Sequence, residues 1–275
     1  MIGGSLFNGL TGHNRITGFL VLPKISGFFC LVMTLILSQN APLVAQAGAL
    51  TPREILDKVD DLSRGKSSRG KMTMSITTAH WSRSLTLEFW NKGKDKSLIR
   101  ILSPKKEKGM TTLRSGNNIW NYLPKINRII KLPSSMMGSS WMGSHFSNDD
   151  LVKESRMADD YTFEISFQGQ KEGRRVVEIT CIPHEDAVVV WGRIIVTVDS
   201  DEYLPLKILY YDEDLELART MIFEDVGLLG GRKLPRRMVI IPAAKPKEAT
   251  VVLYEEMEWD IELDDKLFSI RSLKR

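Results

Sequence analysis

The sequence predicts a mainly β fold with few helices (α+β), an incomplete and strongly curved antiparallel barrel. Three observations predict it. One amphipathic helix stands near residue 51 and nothing comparable follows it. From residue 70 onward the apolar period changes from about 3.6 to 2. About a dozen short period-two runs then follow, many separated by brief turns, which is the spacing of an up-and-down antiparallel sheet rather than of βαβ units.

The helix has a complete start signal. Thr51 can cap it, Pro52 suits its first position, and Glu54 completes a capping box. Ile55, Val59 and Leu62 form one apolar stripe, and Gly65 is a plausible stop. The first two strands follow. Met72, Met74 and Ile76 alternate with polar residues, as do Leu85, Leu87 and Phe89, and the link around His80 suits a hairpin. These six residues are expected to line one face, the inside of a hollow. Strand-like runs continue at 96–103 and 109–114. Residues 119–123 and 128–132 form a hairpin around Pro124–Asn127. Further runs lie at 161–168, 174–183, 192–199, 204–211, 217–226, 232–241 and 249–260, and 264–268 suits a short terminal turn. A sheet of about a dozen strands curls, and a barrel of that size encloses space that its own side chains do not fill.

The segment after the 119–132 hairpin is the least ordinary part of the chain. Met136, Met137, Trp141, Met142 and Phe146 stand among serines and glycines. Glycine and serine allow motion, and methionine repacks against partners of varied shape. Two readings stay open, a lid over an apolar hollow and a loop folded permanently on the core. Trp120 and Tyr122, before the Pro124 turn, are placed at the mouth of the hollow. With the helix, the Met-rich segment supplies the helical and loop-built cover.

Residues 1–50 contain no acidic residue, and Ile25–Leu37 is an apolar run of signal-peptide length followed by Ala45-Gln46-Ala47. Residues 1–47 are therefore read as a signal peptide and 48–275 as one domain, with an uncleaved anchor as the alternative. Of the 38 basic residues, cleavage removes Arg15 and Lys24, leaving 36 against 34 acidic ones. That balance argues against nucleic acid as a partner. Cys181 is the only cysteine left, so no internal disulfide can form, and its strand-like surroundings suit a small buried hydrophobe.

Catalytic and metal signatures are missing: GxSxG, HExxH, CxxC, P-loop and GxGxxG patterns do not occur. His145, Asp149 and Asp150 form the one conceivable cluster, and it reads better as a cap at a helix start. A hydrolase using it would lose activity on changing His145 or Asp149. Asp212–Asp214 is read as a solvated hairpin tip. Lys105-Lys106-Glu107-Lys108 is read as an exposed turn, with contact to lipid headgroups or a partner as the lesser reading. No cofactor is expected.

Gly116-Asn-Asn-Ile-Trp-Asn-Tyr-Leu-Pro, Arg128-Ile-Ile-Lys, and the segment from Gly138 to Leu151 ending Met-Gly-Ser-His-Phe-Ser-Asn-Asp-Asp-Leu resemble the LolA-like outer-membrane lipoprotein-sorting family. The resemblance covers roughly residue 50 to the C-terminus and is greatest to the longer branch, whose members accompany exporters of the resistance-nodulation-division (RND) type. It implies a periplasmic carrier in a Gram-negative bacterium. Its hollow would bind acyl chains of lipoproteins or lipids, an inner-membrane exporter and an outer-membrane acceptor would be its partners, and no catalysis is expected. The alternative implied function is an RseB-like regulatory sensor of lipids or envelope stress. In LolA-type carriers an arginine of an early strand holds the lid. Here the corresponding stretch from Trp90 to Lys96 carries lysines, with Arg100 further on, and the resemblance assigns that role to no residue.

Overall fold

The structure is a computed structural model that describes residues 50–153, 160–187 and 189–274. The expected signal segment, 1–47, lies outside them. Helix α1 (Pro52–Arg64) opens the described chain. Strands β1 (Ser67–Thr77), β2 (Ser82–Lys92), β3 (Lys96–Ser103), β4 (Thr111–Ser115), β5 (Asn118–Leu123) and β6 (Arg128–Lys131) follow. After the segment that carries the short helix α2 (Asp150–Lys153) come β7 (Tyr161–Lys171), β8 (Arg174–Pro183), β9 (Arg193–Asp199), β10 (Pro205–Tyr211), β11 (Leu217–Leu229), β12 (Arg232–Pro242) and β13 (Ala249–Trp259).

All strands belong to one 13-stranded antiparallel sheet in the order β6-β5-β4-β3-β2-β1-β13-β12-β11-β10-β9-β8-β7. Neighbours in the sheet are neighbours in sequence except β1 and β13, whose pairing from Ser68–Trp259 to Thr77–Ala249 joins two meanders. The sheet does not close. Its edges are β6 and β7, and the chain between them runs from one edge to the other.

The capping box of α1 forms as expected. Glu54 N–H donates to the Thr51 hydroxyl (3.2 Å), and the Thr51 N–H donates to the Glu54 carboxylate (2.8 Å). Gly65 ends the helix at φ 63°, its N–H reaching Asp61 O. At the same end, Arg232 donates to the carbonyls of Asp61 and Leu62 and pairs with Asp260. The helix C-terminus is thereby fastened to the β11–β12 hairpin.

Three apolar clusters hold the fold together. The first fills the concave face and includes Met74, Ile76, Leu85, Leu87, Phe89, Met238 and Ile240. The second lies on β8 and β9 and receives Ile55 of α1. The third joins Trp90, Leu98 and Leu113 to Phe268 and Leu273, in two 3-10 turns after β13. Pairing register puts Leu98 opposite Trp90 and Leu113, while Ile99 pairs with Phe89 and Thr112. Successive residues face opposite ways, so the third cluster lies on the convex face. The C-terminal turns cover that face locally. Gly70 marks a tight crossing of the concave wall: a Cβ there would meet Glu256 O at 2.5 Å and Phe89 Cζ at 2.7 Å.

Candidate functional site

The concave face, α1 and the segment after β6 enclose a cavity of about 330 Å³. Met72, Met74 and Phe89 form part of its wall, with Phe223, Met238 and Tyr254 from the other meander. Trp141 and Phe146 roof it, and Leu56 and Val59 of α1 close the far side. The lining is apolar apart from a polar border that includes Asn91, Lys94 and Arg114.

The structure brings together part of the set expected from the sequence. Met72, Met74, Phe89, Trp141 and Phe146 reach the open space. Ile76, Leu85 and Leu87 share their cluster but are fully buried beneath it, packed in the sheet's inner layer with Trp141, Met142 and Phe146. Trp120 and Tyr122 need correction. They lie not at the mouth but on the convex face, packed with the third cluster. Trp120 pairs with Leu113, and it is Ile119, paired with Arg114, that faces inward on β5. The physical cause is that both faces of this part of the sheet are covered, so alternation alone could not decide which is the inner one. Met136 is 47% exposed, and Met137 is half-buried outside the three clusters, so neither side chain lines the cavity.

The roof itself is built from two 3-10 turns, Ser134–Met136 and Trp141–Gly143, followed by α2. Its Ser and Gly content does not leave it loose, because polar groups anchor it. Trp141 is 3% exposed, and its indole N–H donates to Thr112 Oγ1 (3.2 Å). Trp141 N–H bonds to Phe146 O (2.7 Å), and Asn148 Nδ2 donates to the carbonyls of Met136 (3.0 Å) and Ser139 (3.1 Å). Met142 adopts a left-handed backbone (φ 53°), which a non-glycine residue holds only when its surroundings impose it. Arg83 of β2 donates to the Met142 carbonyl and lies 3.7 Å from Glu107.

The main clamp is Arg219 of β11. Its guanidinium grips Asp150 in two-point fashion at 2.6 and 2.8 Å and also donates to His145 O (3.0 Å). It lies 4.1 Å from the Tyr210 ring centre and 4.5 Å from that of Trp191. The Arg219 and Asp150 side chains are 6% and 14% exposed. Burial opposes the charge of Arg219, but the Asp150 contact outweighs it and raises its pKa. Ser147 caps this helix: its hydroxyl accepts from the Asp150 N–H (3.2 Å), and its own N–H donates to the Asp150 carboxylate (2.7 Å).

His145 provides a second tie, to β13 and the turn before it. The Thr250 hydroxyl accepts from the His145 N–H (3.0 Å), so its own proton is free for Nδ1 (2.8 Å), and Nε2 then faces Glu248 at 3.3 Å. The Ala79 N–H on Glu248, aided by His145, holds that carboxyl below its ordinary range despite burial. His145 and Asp150 of the expected cluster are thus engaged by different partners, Thr250 and Glu248 for the first and Arg219 for the second. Among the described residues no group of three or more His, Cys, Asp or Glu could hold a metal ion.

Sequence reasoning missed Arg83 and Arg219. Both occupy inward positions of period-two runs, Arg83 before Leu85 and Leu87, Arg219 before Met221 and Phe223. A charge at such a position demands a buried partner, and this was the available signal.

Cys181 is fully buried in the second cluster, and burial pushes its thiol up to about 12. The thiolate is the reactive form, so native protein should resist a thiol reagent and react fully only on unfolding. A thiol titration with and without denaturant checks this; rapid native reaction would contradict the placement.

Residues 93–275 match the model of a family described as "-like: Uncharacterized protein". No curated protein matches the chain. Among solved structures, the chain is similar to a DUF1329 family protein from Desulfovibrio piger, at 22% identity and a TM-score of 0.73, covering 80% of this chain and 96% of that one. It is similar to a putative outer membrane lipoprotein-sorting protein domain from Vibrio parahaemolyticus, at 22% identity and TM-score 0.70 over 81% and 97% of the two chains. A LolA superfamily protein from Nitrosomonas europaea gives 21% identity and TM-score 0.70 over 82% of this chain and all of that one. The chain belongs to the family whose model it matches over more than half its length, and its fold is the LolA-like one of the outer-membrane lipoprotein-sorting proteins.

Proposed function

We propose that the protein is a periplasmic carrier that shelters an acyl chain of a lipoprotein or lipid and passes it toward the outer membrane. The observation that carries this reading is the apolar cavity of about 330 Å³ between the curved sheet and an apolar roof. The volume falls within the range of ligand pockets, and the lining offers hydrocarbon contact rather than a constellation for chemistry. Each methylene moved from water into such a site gains about 0.8 kcal/mol. The likeness to a lipoprotein-sorting domain supports the class of cargo. An RND-type exporter as donor and an outer-membrane acceptor extend the reading, supported by the resemblance of the 116–151 motifs to the longer branch of the family.

The test is mass spectrometry of lipids that co-purify with the protein from a periplasmic extract, compared with Met72→Trp, which places a large side chain in the cavity. Native protein should carry acylated molecules, and the filled variant should carry several-fold less. Equal loading of the two would place the lipid elsewhere, and native protein free of lipid from an intact envelope would remove the carrier reading.

A further inference from the structure

At the roofed end of the sheet, a second hollow of about 970 Å³ lies outside the cavity. It forms where the β1–β2 turn, the β3–β4 turn and the β5–β6 turn meet, with Met142 and Gly143 of the roof as one wall. Its floor is apolar, made by Met110, Leu123 and Met142. Two large apolar side chains stand out beside it: Trp81 is 44% exposed and Ile126 58%. Arg83 lies over the Trp81 ring at 5.3 Å, yet nearly half of the indole and more than half of Ile126 still face outward.

The charges around this groove are almost all of one sign. Lys105, Lys106, Lys108 and Lys125 are exposed, and the adjoining β12–β13 turn adds exposed Lys245 and Lys247. The acidic residues of these four turns are Glu107 and Glu248. Both are buried, Glu107 facing Arg83 at 3.7 Å and Glu248 facing His145 at 3.3 Å and Lys245 at 3.7 Å. The other half of the same rim is acidic, with Glu185 and Asp186 after β8 and Asp212, Glu213 and Asp214 after β10. An end so polarised presents only its β1–β6 half to an anionic surface.

We infer that this half of the rim is a docking surface for an anionic phospholipid bilayer. Lysines at the headgroup level beside a projecting tryptophan and isoleucine match the layered chemistry of such a surface, charge outermost and hydrocarbon within. The lysines supply attraction, and Trp81 and Ile126 supply shallow insertion. Docking there sets the Met142 wall of the roof against the membrane.

The test is flotation of the protein with vesicles of phosphatidylethanolamine and phosphatidylglycerol, against vesicles of phosphatidylethanolamine and phosphatidylcholine. The protein should float with the first and not the second, and salt should weaken binding. Each basic residue near an anionic surface contributes a factor of about five in partitioning. Lys105→Glu, Lys106→Glu and Lys125→Glu together should therefore weaken it by about a hundredfold or more. Trp81→Ser with Ile126→Ser should weaken binding while leaving its salt dependence. A solution assay with a fluorescent fatty acid separates this surface from the cavity: the lysine variant should bind the probe as the parent does. Failure of the parent to float with phosphatidylglycerol vesicles at low salt, as for a rim that serves an acidic protein instead, would overturn the inference. So would flotation unaffected by charge reversal. Failure of every form to bind the fatty acid would count against the carrier reading and leave the docking surface standing.

Discussion

Replacing Arg219 with alanine should lower the melting temperature by about 10 °C. The substitution leaves the Asp150 carboxylate, 14% exposed, without its two-point partner and frees the His145 carbonyl. Removing one partner of a buried ion pair costs about 3–5 kcal/mol, and each kcal/mol shifts the midpoint of a domain this size by about 2–4 °C. The guanidinium also contacts Tyr210 and Trp191, so packing is lost along with charge. Thermal unfolding followed by circular dichroism gives the shift, and limited proteolysis of residues 133–150 shows whether the roof opens first. The double variant Arg219→Met, Asp150→Leu should recover much of the loss, because a buried pair replaced by apolar groups is often neutral or better. An unchanged midpoint in Arg219→Ala would mean that the clamp contributes nothing to the fold.

The second large effect concerns hand-over. A chain of about 15 methylenes would gain on the order of 12 kcal/mol before the costs of ordering and closing, and a carrier that kept all of it would release its cargo too slowly. Trp141 and Phe146 line the cavity, Met142 packs beside them on the same apolar cluster, and the three are placed to compete with cargo for that surface. The variant Trp141→Ser, Met142→Ser, Phe146→Ser should retain several-fold more lipid and deliver it more slowly to acceptor vesicles. It should also be less stable by more than the roughly 3–5 kcal/mol that removing a buried tryptophan alone costs, so stability and retention must be measured together. Less retained lipid in a folded variant would make these side chains cargo contacts rather than competitors.

Much of this arrangement was legible in the sequence, for identifiable reasons. The capping box of α1 is a local signal, and it forms. The alternation of Met72 and Met74 and of Leu85, Leu87 and Phe89 places them on one face, because a short hairpin fixes the pairing, Met72 with Leu87 and Met74 with Leu85. The position of Trp120 and Tyr122 was not legible, because the cover on their face comes from Phe268 and Leu273, far along the chain. Met136 and Met137 share the composition of the roof, but only their backbone takes part in it. The clamp joins residues 69 apart, and no local pattern announces such a pair. Only the oddity of an arginine at an inward position hinted at it.

The sheet's two free edges, β6 and β7, are consecutive in the chain, and the roof is the connection between them. The roof is therefore a strap that lies across an open trough, unlike a flap that touches one wall. Its described part, from β6 to α2, is tied to β2 by Arg83, to β11 by Arg219 and to β13 by Thr250, so it leans on both meanders of the sheet. Lifting it means breaking ties to two halves of the barrel that are far apart in sequence, so the cover and the curvature of the sheet hold each other in place.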